Sequence, residues 1–242
     1  MKTSDYILFK INRLPKGYVF TYADFITKVN KQEAIIKALN RMASSGKIAK
    51  LAKGRFYKPE TSTYGNLQPG LYQIVKDLLE DNGKISGYLT GYSIYNRLGL
   101  TTQISSIIQI GKNETRPSFK RERYTISFIK QKNSITKENI PILQILDSIR
   151  YIKKIPDTSN NEAANRLLAI LSELTEDQQS SLARLALKYP PATRALTGAL
   201  LEELDIDDKT ELLRKSLNPI TTYQYTGISK TIKSFQNWNI KE

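Results

Sequence analysis

The sequence predicts an α+β protein: an N-terminal winged helix-turn-helix, then a mixed α/β region, then a C-terminal helical bundle. Three observations carry this. Residues 20–58 read as two short capped helices followed by a basic hairpin. Residues 105–110 and 124–129 are rich in Ile, Phe and Tyr, as strands are. From Lys137 onward apolar residues recur at helical spacing, interrupted at residues 156–160 and at Pro190-Pro191. The division expected is a winged head over residues 1–60, a linker over 61–69 and an α+β domain over 70–242.

The head is read element by element. Ser4 can cap a first helix whose Ile7, Ile11 and Leu14 share one face. Leu14-Pro15-Lys16-Gly17 ends it, and Val19 and Phe20 suggest a short strand. Thr21-Tyr22-Ala23-Asp24 fits a capping box, in which the Thr21 hydroxyl accepts from the amide of residue 24 and Asp24 reaches back. The helix it opens is about two turns long, with Phe25, Ile26 and Val29 inward. Asn30 and Glu33 repeat the capping logic for a second helix to about Ser45, closed by Gly46. Ile35, Ala38, Leu39 and Met42 make its buried stripe. Residues 47–51 and 55–58 then read as strands around a turn at Ala52-Lys53-Gly54.

Two capped helices with no long loop between them form a tight corner, and the second is the recognition-helix candidate. Its outward Lys31, Gln32, Lys37, Asn40 and Arg41 can donate to phosphates and base edges. The hairpin carries Lys47, Lys50, Lys53, Arg55 and Lys58 with no acid, which suits a wing lying along a phosphate backbone. With ~5 phosphates neutralised, log K would fall against log salt with a slope of about −4 to −5. The candidate DNA-binding set is Thr21, Tyr22, Lys31, Gln32, Lys37, Asn40, Arg41, Lys50, Lys53 and Arg55.

Downstream, residues 59–69 are polar with Pro and Gly, and residues 70–82 are helical through Leu71, Ile74, Val75, Leu78 and Leu79. Thr90 or Ser93 opens a short helix ending at Gly99. Residues 112–123 read as a basic loop between the two strands. Helices follow over 137–154, 161–174, 175–189 and 192–204, with a last one near 209–217 capped by Asp207 or Asp208. In the tail, Tyr223, Tyr225, Phe235 and Trp238 predict docking onto the body.

Charge points the same way. The net charge is +14 over 242 residues. Residues 1–60 carry 13 Lys/Arg against 4 Asp/Glu, residues 61–155 carry 14 against 7, and residues 156–242 carry 10 against 12. A basic excess concentrated in the head is the electrostatic footprint of a nucleic-acid partner. There is no cysteine and no histidine, which removes disulfides, thiolate zinc sites, Cys nucleophiles and the commonest general base. No P-loop or dinucleotide glycine fingerprint is present, and no cofactor or metal site is expected. The acidic run from Glu202 to Glu211 reads as helix ends and caps rather than a divalent-metal site. The hydroxyls of Thr90, Ser93, Thr101 and Thr102 lack a histidine to activate them. An enzyme is therefore not expected. With no apolar run of membrane-spanning length, the chain is expected to be cytoplasmic.

The order of features resembles the AbiE-type antitoxins, the antitoxin halves of type IV toxin–antitoxin systems of abortive phage infection. The resemblance rests on Gly46-Lys47-Ile48 and Gly54-Arg55-Phe56-Tyr57 in the head. Tyr88-Leu89-Thr90-Gly91-Tyr92-Ser93 and Leu98-Gly99-Leu100-Thr101-Thr102-Gln103 follow, and it covers roughly residues 1–130. It implies a head that binds operator inverted repeats in double-stranded DNA and represses its own operon. It implies a second domain that counters a cognate nucleotidyltransferase-like toxin without necessarily forming a stable complex. On matching positions Lys37, Asn40, Arg41, Lys50, Lys53 and Arg55 would bind DNA. The long helical C-terminal part departs from the pattern. Two other classes compete: a ligand-responsive winged-helix transcription regulator, and an enzyme with a DNA-targeting head.

Overall fold

The structure is a computed structural model describing residues 3–28, 32–63, 65–81 and 83–242, without the side chains of residues 27 and 28. It is an α+β protein in two compact units. The first comprises residues 1–77 and 120–123, the second residues 78–119 and 124–242.

In the first unit, α1 (Thr3–Asn12) buries Ile7 and Ile11, as their i, i+4 spacing requires. Lys58 Nζ donates to the carbonyls of Asn12 and Leu14 at 2.7 and 2.8 Å, satisfying acceptors that the helix end leaves open. After β1 (Val19–Thr21), residues 22–28 form a 3-10 helix rather than the α-helix expected. The Thr21–Asp24 cap is present with altered partners. Asp24 accepts from the Thr21 amide at 2.7 Å and hydroxyl at 3.1 Å, while the Thr21 hydroxyl accepts from Ala23 N at 3.2 Å. The expected inward Val29 and cap Asn30 lie outside the described residues.

The next helix, α2 (Gln32–Ser44), buries Ile35, Ala38, Leu39 and Met42. Gly46, at φ +74°, lets the chain reverse so that Lys47 N donates back to Met42 O at 3.0 Å. Then come β2 (Ala49–Ala52) and β3 (Arg55–Tyr57), joined by a turn with Gly54 at φ +73°. The three strands form one antiparallel sheet in the order β1-β3-β2. The core beneath it is aromatic. Phe20 stacks on Phe56 at 6.5 Å and meets Phe25 edge-on at 5.6 Å, with Ile7, Ile35 and Leu39 around them. Burial of each such side chain is worth about 1.5–3 kcal/mol.

The stretch expected as a linker is structured. It holds the hairpin of β4 (Glu60–Ser62) and β5 (Gly65–Leu67). Helix α3 (Leu71–Leu79) follows, and its first two turns belong to the first unit. Gln73 Oε1 accepts from Val19 N at 3.1 Å, and Lys76 lies 4.8 Å from the Tyr18 ring centroid. These ties to the head carry the unit's boundary to Asp77 rather than residue 60.

The second unit opens with a small hairpin of β6 (Glu80–Asp81) and β7 (Lys84–Ile85). Strand β8 (Gly87–Thr90), not foreseen in the sequence, leads into α4 (Tyr92–Arg97), which starts from Gly91 at φ +68° without a side-chain cap. Strands β9 (Ile107–Lys112), β10 (Phe119–Arg121) and β11 (Tyr124–Lys130) complete a sheet in the order β10-β11-β9-β8. The expected loop at residues 112–123 thus contains β10. The chain reverses twice there, so β11 inserts beside β9 and runs parallel to it, Thr125 facing Ile107 and Lys130 facing Lys112.

Helices α5 (Asn139–Arg150), α6 (Asn160–Ser172), α7 (Glu176–Ala186), α8 (Pro191–Glu202) and α9 (Glu211–Lys215) share one apolar core. Capping boxes start two of them, Ser159 with Glu162 and Thr175 with Gln178, and Pro191 begins α8 at the first helical position. The tail docks. Strand β12 (Tyr223–Gln224) pairs with β13 (Ile240–Lys241). Trp238 is fully buried, with a ring that fits only because residue 198 is Gly: a Cβ there would meet it at 2.1 Å. Among the described residues no helix is long and apolar enough to cross a membrane.

Candidate nucleic-acid interface

The helix α2 separates two faces by periodicity alone. Ile35, Ala38, Leu39 and Met42 are buried, whereas Lys37, Asn40, Arg41 and Ser44, at the same i, i+3, i+4, i+7 spacing, are exposed. Gln32 is exposed at its N-terminal end. None of Lys37, Asn40 and Arg41 uses its side chain in an ion pair or hydrogen bond among the described residues. These heads stand in water on a helix whose other side is fixed in the core. Lys31 lies outside the described residues.

The hairpin divides its charges between two tasks. Lys47, Lys50 and Lys53 are exposed and in no ion pair among the described residues. Arg55 is committed. Its two terminal nitrogens hold both oxygens of Asp77 at 2.7 and 2.5 Å. Arg121 grips the same carboxylate at 2.8 and 3.0 Å and the carbonyl of Ile74 at 2.8 Å. Burial would raise the Asp77 carboxyl, but hydrogen bonds and charge from Arg55 and Arg121 outweigh it and hold the group at about 2. Lys58 is likewise spent on the end of α1. Thr21 is taken up by its cap and Tyr22 is half-buried against the head core. Of the ten sequence candidates, Gln32, Lys37, Asn40 and Arg41 gather on α2 and Lys50 and Lys53 on the hairpin. Thr21, Tyr22 and Arg55 do structural work. Asp77, the residue that takes Arg55 away, gave no signal in the sequence beyond an acid on a helix.

The second unit holds a buried polar network that sequence reasoning also missed. Asp147 is almost completely buried in α5, beside Leu143 and Leu146. Its carboxylate accepts from Tyr88 Oη at 2.7 Å, Thr90 Oγ1 at 2.9 Å and Tyr189 Oη at 2.9 Å. Gln131 Nε2 donates to both tyrosine oxygens at 2.9 Å. Burial pushes Asp147 up to about 6, against the pull of the three hydroxyls. It also raises Tyr88 and Tyr189 far above the ordinary phenol value. The network ties β8 and the segment after β11 to α5 and to the segment between α7 and α8, with no open position for a substrate at Asp147. One signal was legible: an acid at i+4 from Leu143 on an otherwise apolar face. Among the described residues no group of three or more acidic side chains is placed to hold a metal ion. In the acidic run, Glu202 instead accepts from Arg214 and Asn237 Nδ2 at 2.7 Å and from Trp238 Nε1 at 2.5 Å.

A sequence profile described as a family of unknown function, DUF6088, matches residues 6–182. The chain belongs to the DUF6088 family. The match runs from the head to the middle of α7, so the DUF6088 region holds both the α2 face and the Asp147 network except Tyr189. No curated protein matches the sequence. The fold of this DUF6088 chain is similar to the crystal structure of the RV2827C protein from Mycobacterium tuberculosis. That likeness has a TM-score of 0.62 at 11% identity, covering 93% of this chain and 85% of the other. At that identity the likeness is one of fold.

Proposed function

We propose that the protein is a DNA-binding antitoxin that represses its own operon through a winged helix-turn-helix and counters a nucleotidyltransferase-like toxin encoded beside it. One observation carries the DNA-binding part. Helix α2 presents Gln32, Lys37, Asn40 and Arg41 to solvent, next in sequence to a hairpin whose Lys47, Lys50 and Lys53 are in no ion pair among the described residues. The helix–strand order of the first unit, with β3 between β1 and β2, supports a winged helix. In that reading α2 enters the major groove and the hairpin is the wing. The toxin-countering part rests on the resemblance at residues 88–93 and 98–103. The Asp147 network supports a structural rather than catalytic second domain, since its acceptors are filled from within.

The test is a mobility shift at fixed salt on DNA from upstream of the chain's own reading frame. Lys37→Ala together with Arg41→Ala weakens binding by about 1–3 kcal/mol per base-reading residue. Unchanged shifts with both substitutions in a folded protein would remove α2 from the interface.

A further inference from the structure

The second unit contains a cavity of about 620 Å³ that none of the preceding roles uses. Five cations line it: Lys130 and Lys132 at the end of β11, Arg150 at the end of α5, Lys188 after α7, and Arg194 in α8. No carboxylate is among its lining residues, and none of the five is in an ion pair among the described residues. Arg194 Nε is buried and has no hydrogen-bond partner. Five like charges around one concavity repel one another, and a buried guanidinium donor left unmade costs free energy. An anion of several charges seated between them relieves the first of these costs.

We propose that this cavity binds a small molecule through an oligophosphate group. The chemistry favours phosphate over a single carboxylate. Two guanidinium forks and three ammonium groups supply donors for several anionic oxygens at once. The positive pole of α8, a twelve-residue helix, opens at Pro190-Pro191 on the rim and adds to the same field. The floor is rigid. Tyr189 and Gln131 line the cavity, Gln131 donating to Tyr189 Oη and Tyr189 in turn to Asp147, so the walls, not the floor, grip the ligand. Leu187 and the two prolines give one apolar wall, against which a nucleoside ring can pack. The volume lies in the range of small-molecule sites rather than of an open nucleic-acid groove. The proposal does not depend on the DNA-binding reading, because its residues lie outside the head.

Calorimetric titration of the full chain at constant ionic strength tests it, with tripolyphosphate and ATP as ligands. Saturable one-site binding is expected. It is weakened at least tenfold by Lys132→Gln with Lys188→Gln, two exposed positions whose loss leaves the fold intact, and is unaltered by Lys37→Ala with Arg41→Ala. Equal affinities for the two ligands identify the oligophosphate as the whole determinant. Tighter binding of ATP adds a nucleoside contact at the Leu187 wall. Absence of saturable binding would overturn the proposal. So would loss of binding only in the head variant, or binding of single-stranded RNA oligonucleotides alone. A Lys132→Glu, Lys188→Glu variant that unfolds at the same temperature as the parent yet binds as tightly would also remove the cavity from consideration.

Discussion

Asp147 is an ionisable group held in an apolar interior by three hydroxyl donors, and its linkage to pH follows from its raised value. In the unfolded chain an aspartate titrates near ~3.9. In the fold it titrates at about 6. Between these values the folded state holds the proton more tightly, so this residue's contribution to stability falls as pH rises from about 4 to about 6 and is level above. Asp147→Asn cannot lose a proton and should lack that slope, which urea unfolding midpoints at pH 4.5 and 7 will show. Asp77 runs the other way. Its folded value, about 2, lies below the unfolded one, so its contribution is present above about pH 4 and is lost as pH falls through 2. Asp77→Asn should therefore destabilise the first unit at neutral pH, by about 1 kcal/mol after discounting its partial exposure. Its deficit should shrink toward zero in thermal melts as pH falls through 2. A deficit that persists in acid would mean that packing, not charge, links Arg55 and Arg121 to α3.

At the scale of elements, the hairpin after α2 shows how a basic count misleads without contacts. Its charges read alike in the sequence, yet Arg55 and Lys58 hold the protein's own acceptors and Lys47, Lys50 and Lys53 remain outward. The expected number of wing phosphates drops from ~5 to ~3. Replacing Lys47, Lys50 and Lys53 with Gln should weaken binding to all DNA sequences and flatten the slope of log K against log salt by about 2–3. Arg55→Gln should lower the melting temperature and leave that slope nearly intact. An unaltered slope in the triple variant would take the hairpin out of the interface. The elements legible in advance were those whose information is local. Helix α2 declared itself by an apolar stripe and a terminal glycine. The capping boxes at Ser159 and Thr175, the proline stop before α8 and the docking of Trp238 were signalled by residue type and spacing. The elements missed depend on distant partners. Strand β8 has only four residues and forms by pairing with β9. Strand β10 lies in a basic stretch whose charge reads as loop. Residues 60–67 have turn composition but close a hairpin, and the ties of α3 to Val19 and Tyr18 carry the first unit to Asp77. The candidate site divides along the same line: the α2 face was readable from periodicity and the Thr21 cap from its spacing to Asp24, whereas the assignments of Tyr22 and Arg55 turned on contacts no pattern reveals.

For the whole molecule, the proposal joins a basic first unit to a second unit whose inner polar groups serve structure. The two roles separate experimentally. Residues 78–242 contain the Asp147 network, but residues 120–123 of that span cluster with the first unit, so the full chain is the sound reagent. In cells expressing the nucleotidyltransferase-like toxin that the proposal assigns as its target, the full chain carrying Lys37→Ala and Arg41→Ala should still restore growth when driven from an independent promoter. Loss of rescue at equal protein level would make DNA binding the whole mechanism. The central claim is that α2 reads operator DNA, and footprinting of the full chain on the region upstream of its own reading frame tests it most directly. Protection of two inverted half-sites is expected, abolished by Lys37→Ala with Arg41→Ala. Uniform weak protection without half-sites, or protection that the double variant retains, would contradict it.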